Sequence, residues 1–315
     1  MSTNHNRMLT PEVADNPLVT VVTPVYNAAH WLDETISSVR RQTYDNLRYV
    51  ILDDNSSDES LEVARKHAEQ DDRLEVFAVR NGSVSLTRQM GVDQAGSPLV
   101  AFLDNDDIWH PNFLERSVAE LQRLGERAVG TYCMLNLINQ NSEPIEQPGD
   151  TSKGRHSLAM TGEVDFDNYL LGDTPARTAG AVVMRAAALE GHAFLQEAEP
   201  CEDYELWLRI LDANPDKIMY GLPDKLLSYR IRDDQQTSNV EKVFKTLDTM
   251  YQTYVPRMKD PEARWQVYQY ASHGARARGL LDYDAHFGRL ATDLAAMPSI
   301  EIQPYIKNAH RLHLR

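Results

Sequence analysis

The stretch PLVAFLDNDDIW (Pro98–Trp109) decides how the chain is read. Leu99–Leu103 is an unbroken apolar run of strand length, as expected of a strand buried on both faces of a parallel sheet. It is followed at once by Asp104, Asn105, Asp106 and Asp107. Ligands of open parallel sheets bind beyond the carboxyl ends of the strands. Carboxylate oxygens on such a turn are hard ligands suited to Mg²⁺ or Mn²⁺. The plain alternative is a solvated acidic turn ahead of the helix that opens near Pro111.

Outward from this stretch, strand and helix patterns alternate. Strands are predicted over Leu18–Thr23, Leu47–Leu52, Leu74–Val79 and Pro98–Leu103. Helices are predicted over Trp31–Gln42, Ser57–Gln70, Ser83–Ala95 and Pro111–Leu124. The alternation implies an α/β fold, Rossmann-like, with a mainly parallel central sheet and helices on both faces. Two more polar clusters follow strands: TPVYN (Thr23–Asn27) and DDNSSD (Asp53–Asp58). Three clusters at one end of one sheet say more than any of them alone.

Downstream the pattern weakens. Residues 138–177 are polar and rich in Gly, Ser, Asp and Pro, apart from Phe166–Leu171, and read as a substrate loop region. Ala179–Met184 returns to strand character and Asp203–Ala213 to helix. From about Val240 the chain reads as helical, with Phe244, Leu247, Tyr251 and Tyr254 on one face. The expected division is a loose tail over 1–17, an α/β domain over 18–239 and a helical extension over 240–315. The domain splits into a ligand half to about 125 and a second half from about 126.

The 315 residues are 42% hydrophobic and 25% charged, enough for a real core. The net charge of −15 argues against general nucleic-acid binding, which needs a basic face. Residues 241–315 hold 11 Lys and Arg against 8 Asp and Glu, which leaves −18 for residues 1–240. An acidic region that binds a phosphorylated ligand must neutralise it locally, and a divalent cation is the usual device. No apolar run reaches membrane-spanning length and the N-terminal residues lack a secretory pattern, so a cytoplasmic location is expected. Cys133 and Cys201 match no zinc spacing and are too few for a disulfide framework.

TPVYN, DDNSSDES, RNGSVSLTRQMGVDQA, LDNDDIWHP and CEDYELWLRI followed by YRIRDDQQTS stand in an order and spacing that resembles the family 2 glycosyltransferases of the GT-A fold. The resemblance covers about Val19–Asn239. It implies an inverting transfer of a sugar from a nucleoside-diphosphate donor, UDP-linked, to the hydroxyl of a glycan or lipid-linked acceptor, as in bacterial surface polysaccharide synthesis. It makes Asp106 the ligand of a Mn²⁺ or Mg²⁺ ion and Asp104 the second member of the motif.

Tyr26 and Asp54 fall in the base pocket by the same resemblance. A tyrosine ring there can stack on a base, and a carboxylate can accept the N3–H of uracil. Their plain readings are a packed surface ring and a helix cap. Pro24 and Asn105 belong to the same donor-side turns. Arg88 either approaches the diphosphate or braces the acidic turn, tasks that both suit a guanidinium; its plain reading is a surface ion pair.

In an inverting transfer a carboxylate near the acceptor takes the proton of the attacking hydroxyl. The family pattern places that base at Asp203, with Glu202 and Trp109 orienting the acceptor. The plain reading of Asp203 is an acid favoured at a helix N-terminus. The sequence departs from the family pattern at Arg232, where a histidine often stands. Arginine pairs well with phosphate but is no ordinary metal ligand, and it would otherwise pair with Asp233 or Asp234.

Two rivals share parts of this pattern: a sugar-phosphate nucleotidyltransferase and a non-catalytic sugar-nucleotide-binding protein. The C-terminal KNAHRLHLR, with Lys307, Arg311 and Arg315 beside Ile306, Leu312 and Leu314, is read either as a helix packed on the domain or as a weak contact with an anionic inner membrane face.

Overall fold

The computed structural model describes residues 16–145, 161–171, 178–232, 235 and 238–296. The first half follows the predicted alternation: β1 (Val19–Val25), α1 (Ala29–Arg40), β2 (Leu47–Asp54), α2 (Ser60–Ala68), β3 (Leu74–Val79), α3 (Val84–Asp93) and β4 (Leu99–Phe102). A two-residue strand, β5 (Ile108–Trp109), and α4 (Phe113–Leu124) come next. The second half contains β6 (Ala128–Ile138), β7 (Gly162–Val164), α5 (Phe166–Leu171), β8 (Val182–Arg185), α6 (Ala186–Leu189), α7 (Glu202–Ala213) and β9 (Ile218–Arg230). Three helices end it: α8 (Val240–Tyr254), α9 (Pro261–Ala277) and α10 (Leu281–Ala295).

The strands form one sheet in the order β3-β2-β1-β4-β8-β6-β9-β5, with β7 also on β9. β3, β2, β1 and β4 pair in parallel. β8 is antiparallel to both β4 and β6, while β6 and β9 pair in parallel. Most strands therefore point one way, and their carboxyl ends share an edge.

Strand side chains alternate between two cores, as a period of two requires. Val19, Val21 and Val25 of β1 join Tyr49, Ile51, Leu99 and Ala101 under α1 and α4. Val22 joins Val50, Leu52, Val100 and Phe102 on the other face, with Trp207 and Leu211 of α7. That second core continues without a break into Phe244, Met250 and Tyr254 of α8, Tyr268 of α9 and Phe287 of α10. Tyr254 also donates to Glu205 of α7 at 2.7 Å. The C-terminal helices thus lie against the helix that begins with Glu202 and Asp203.

Close approach of α3 to β1 depends on Gly91. A Cβ there would lie 2.3 Å from a Val22 methyl, which real side chains do not allow. α3 opens with Ser83 as N-cap, its hydroxyl accepting from the Leu86 N–H.

Two corrections concern the second half. The sequence reading has no strand at β6 or β9, although these are the longest in the sheet. Within the segment read as a substrate loop, Ile138 ends β6 and Gly162–Val164 form β7; of the segment read as strand, Ala179–Ala181 form a 3-10 turn and β8 starts at Val182. β9 carries Gly221 and Pro223, residue types uncommon inside strands. The structure places 222–224 between the paired positions Gly221 and Lys225, where the register shifts and no ladder N–H is required of proline. Residues 1–15, 146–160 and the basic C-terminal segment from 297 lie outside the described residues. Among the described residues no helix is long and apolar enough to cross a membrane.

Candidate active site

The turns after β1 and β2 are stitched together. Asn27 and Asn55 adopt left-handed backbone conformations, φ 48° and 59°, which asparagine tolerates better than most residues. The Asn27 side chain accepts from the Ser57 N–H at 2.8 Å, and its own N–H donates to Ser56 Oγ at 3.0 Å. Asp58 accepts from the N–H groups of Ala29 and Ser60, so it is the acid that serves the helix starts. Tyr26 stands on this edge with 63% of its surface exposed, a free ring face. Pro24 is buried within β1 opposite Leu52.

Asp54 does not cap α2. Its Oδ1 accepts from the N–H groups of Asn81 and Gly82 at 2.6 and 3.1 Å. Its Oδ2 accepts from the Ser83 N–H and the Thr87 hydroxyl at 3.3 and 3.2 Å. It therefore holds the loop that leads into α3. A base N–H would have to replace one of these donors, since a carboxylate has about four acceptor positions.

The acidic turn after β4 is held from two sides. Asp104 Oδ2 accepts from the Thr178 hydroxyl at 2.8 Å. Asp107 is fully buried, and its Oδ1 accepts from the Arg230 N–H at 2.9 Å. Burial, followed by the charges of Asp106 and Asp104, drives the Asp107 carboxyl well above the usual carboxylate range. Arg230, also fully buried, donates through Nε to the Asp106 carbonyl at 2.7 Å. Its other nitrogens reach the Asn139 carbonyl, Ser142 Oγ and Glu34 at 3.1, 3.0 and 2.9 Å. One guanidinium thus fixes the turn to α1 and to the loop after β6.

Asp106 carries its side chain toward Arg232, whose Nε lies 2.8 Å from Oδ2. Burial pushes the Asp106 carboxyl up to about 6, with Arg232 pulling in the opposite direction. Asp233 and Asp234, the alternative partners for Arg232, lie outside the described residues. Trp109 is 2% exposed in the core under α1 and α4, and its indole N–H donates to the Gly180 carbonyl at 2.7 Å. Its one polar group is spent there, so packing, not acceptor contact, accounts for it. Asn105 sits at the partly exposed tip of the turn.

Of its three sequence readings, Arg88 makes the bracing contact and is not a surface residue. It is 5% exposed, with Nη2 on Asp104 Oδ1 at 2.5 Å and Nη1 on Glu202 Oε1. Burial opposes its charge, but Asp104, Glu202 and Asp203 outweigh it and hold its pKa above the ordinary arginine value. It braces the acidic turn against the start of α7, with both terminal nitrogens committed to carboxylates. Asp203 is 5% exposed, and its Oδ1 accepts from the Tyr204 N–H at 2.7 Å. Burial first, then Glu202, push its carboxyl well above the usual range, with Arg88 opposing. Such an acid is a stronger base once ionised.

The structure therefore joins Asp104, Asp106, Arg88, Glu202, Asp203 and Arg232 in one cluster of charges. Tyr26 and Asp54 lie on the same sheet edge, at β1 and β2. The sequence reading overlooked Arg230, Thr178 and Trp31, the last lying 4.5 Å beneath the Arg232 guanidinium. The repeated arginine in YRIR was the only available signal for Arg230. Among the described residues no three His, Cys, Asp or Glu side chains are placed to hold a metal on their own. An ion on Asp106 would take its other ligands from phosphate oxygens and water, a mode natural to Mg²⁺ and Mn²⁺. The cation already paired with Asp106 shows that a positive charge fits at that position.

This arrangement sets an acidic turn, braced against a second acidic helix start, at the carboxyl edge of a mostly parallel α/β sheet, where enzymes of such folds bind their ligands. Residues 20–191 match the profile described as Glycosyl transferase family 2, more than half of the chain, and the protein belongs to that family. A Bacillus subtilis glycosyltransferase named for teichuronic acid biosynthesis, TuaG, is 26% identical over 265 residues, covering 83% of this chain and 98% of the relative. A glycosyltransferase of Rickettsia typhi is 23% identical over 249 residues, covering 78% and 74%.

Among solved structures, the chain resembles S. aureus TarS 1–349 in complex with UDP-GlcNAc, with TM-score 0.62 and 17% identity. That match covers 82% of this chain and 72% of the other. It also resembles the mannosyltransferase PcManGT of Pyrobaculum calidifontis in complex with GDP-Man and Mn²⁺, with TM-score 0.63 and 17% identity. There the coverage is 97% and 83%. At these identities the structures speak for the fold, which is of the GT-A type.

Proposed function

We infer that the enzyme moves a sugar from a nucleoside-diphosphate sugar to an acceptor hydroxyl with inversion at the anomeric carbon. The observation that carries this is the pairing of the acidic turn with the α7 carboxylates through one buried arginine. Donor and acceptor machinery then share a single rigid bridge. In the reaction the acceptor oxygen bonds to the anomeric carbon as the bond to the β-phosphate oxygen breaks. That oxygen keeps the electron pair, and Asp203 takes the acceptor proton. Glu202, held by Arg88, lies next to the base and orients the acceptor. Tyr26 stacks on the base of the donor. A UDP donor requires one of the Asp54 bonds to the 81–83 loop to yield to uracil. A Mn²⁺ or Mg²⁺ ion at Asp106 would supply charge to the departing diphosphate.

The teichuronic acid name of one relative and the UDP-GlcNAc and GDP-Man complexes of the structural neighbours support a sugar donor and a surface-glycan acceptor. The family match leaves the nucleotidyltransferase alternative without support. A cytoplasmic enzyme in contact with the inner membrane face fits a lipid-linked acceptor. The test is a panel of UDP- and GDP-sugars screened for thermal stabilisation with and without Mn²⁺, followed by transfer to lipid-linked and free glycans. A product with the inverted anomeric configuration by NMR is expected. Retention, or donor binding with no transfer to any acceptor class, would overturn the reading.

A further inference from the structure

Arg232 occupies the position a metal ion would contest. Its Nε lies 2.8 Å from Asp106 Oδ2, and both side chains are shielded, 16% and 9% exposed. Asp106 belongs to a turn pinned by Arg230 at its carbonyl, by Asp107 on the Arg230 N–H and by Thr178 on Asp104. Arg232 lies two residues past the end of β9 and rests on the Trp31 ring, 4.5 Å from its centroid. That ring is itself fixed, because the indole N–H donates to the Gln140 carbonyl at 3.1 Å. A guanidinium displaced from Asp106 can keep its contact with Trp31, since a cation within about 6 Å of an aromatic centroid is still attracted to the ring face.

Asp106 cannot give the same oxygen to Arg232 and to a divalent ion. Two cations also repel when both lie within a few ångströms of one carboxylate. A freed guanidinium beside a diphosphate has a ready anion to pair with. Resting on the metal reading of Asp106, we propose that Arg232 is a tethered cation that holds Asp106 in the metal-free enzyme, yields it to the divalent ion and then pairs with the donor diphosphate. Arg232 lowers the affinity of the free enzyme for metal and links metal binding to nucleotide binding. Its replacement should therefore tighten metal binding in the absence of nucleotide, the opposite of what loss of a ligand does.

The test measures Mn²⁺ binding by calorimetry at pH 8, with and without UDP or GDP, for wild type, Arg232→Gln, Arg232→Lys and Asp106→Ala. Arg232→Gln is expected to bind Mn²⁺ roughly tenfold more tightly than wild type without nucleotide, an effect the size of one shielded charge pair. The gain should vanish when nucleotide is present, because the phosphate contact is lost as well. Arg232→Lys keeps a cation and should stay near wild type. If Arg232→Gln does not fold, Arg232→Met keeps the contact with Trp31 and replaces it. Unchanged or weaker Mn²⁺ binding in the uncharged variant, with Asp106→Ala still losing the ion, would overturn the proposal alone. Lysine as tight as glutamine would also overturn it, because charge would then not be the competitor. Wild-type binding by Asp106→Ala would overturn the metal reading and the proposal together.

Discussion

Arg88→Met is the substitution whose outcome the structure defines best. The side chain keeps much of the volume and loses the charge that sits between Asp104 and Glu202. Arg88 is 5% exposed and Glu202 and Asp203 are each 5% exposed, so water cannot replace it. Removing one partner of a buried ion pair costs about 3–5 kcal/mol, mostly from the charge left behind. Here the carboxylates left behind sit together, which places the expectation at the upper end, about 5 kcal/mol near pH 8. That is a large share of the roughly 5–15 kcal/mol that typical domains possess.

The effect has a definite dependence on pH. In the wild type the Asp203 carboxyl is held above its ordinary value by burial and by Glu202, against the pull of Arg88. An acid whose pKa is raised on folding contributes stability that is complete below its unfolded pKa and lost as pH rises through the folded one. Without Arg88 that loss is larger and reaches to higher pH. The deficit of the variant should therefore be small near pH 4 to 5 and grow toward pH 8. Urea denaturation of both proteins at half-unit intervals from pH 4.5 to 8 reads this directly. A deficit independent of pH would mean that lost packing, not uncompensated charge, explains the variant. No deficit would mean that the bridge between the two acidic segments has no energetic weight.

Other expectations follow from the same cluster. Asp203→Asn keeps shape but cannot accept a proton, so turnover should fall about 10³-fold with little change in donor affinity measured by calorimetry; a collapse of donor binding with normal turnover at saturation would refute its role as base. Because the Asp106 carboxyl titrates near 6, Mn²⁺ competes with a proton below that value; affinity should fall about tenfold per pH unit under pH 6 and level off above it, and a flat profile from pH 5 to 8 would remove Asp106 from the metal site. The same raised pKa means that the stability Asp106 contributes to the metal-free protein is present below about pH 4 and lost as pH rises through about 6, so Mn²⁺ should raise the melting temperature more at pH 7.5 than at pH 5. Arg230→Met removes the donors held by Asp106, Asn139, Ser142 and Glu34 and should cost about 3–5 kcal/mol with metal affinity lost in parallel; a stable variant with wild-type Mn²⁺ binding would show that the turn needs no support from β9.

The parallel half of the sheet was legible because its signals are local. Each strand is a short apolar run, each helix has its own spacing, and the polar turns fall between them. Predicted and observed β3 share the same limits, and the other strands of that half differ by a few residues at their ends. The second half was not legible in this way. β6 and β9 depend on pairing with strands far along the chain. Gly221 and Pro223 interrupt the strand character of β9, and nothing local reveals the bulge that accommodates them. Among site residues, Asp54, Asp104 and Asp106 stood out by their position after strands, whereas Glu202 and Asp203, at a helix start, were singled out only by the family resemblance. Arg230 and Thr178 did not stand out, because a buried arginine and a threonine preceding a strand have no distinctive spacing. Their roles exist only through contacts made by the folded sheet.

The way the site is joined explains why its two halves differ in legibility yet act together. The acidic turn belongs to β4, in the half whose order is local, but its support comes from the other half. Arg230 enters from β9, Thr178 from the segment before β8, and Glu202 reaches it from α7 through Arg88. None of these can form until the non-local strands have paired. The turn therefore acquires its final shape only when the acceptor side is in place, and a carboxylate displaced there must disturb the donor side too. This is why Arg88 and Arg230, which the reading of the reaction does not require to touch substrate, are expected to change metal affinity and turnover when replaced. In a cluster joined through shared partners, paired substitutions should not add. An Arg88→Met/Arg230→Met double variant should be less destabilised than the sum of the two single variants, since each arginine braces the same turn. Strict additivity would show instead that the two braces hold independent parts of the site.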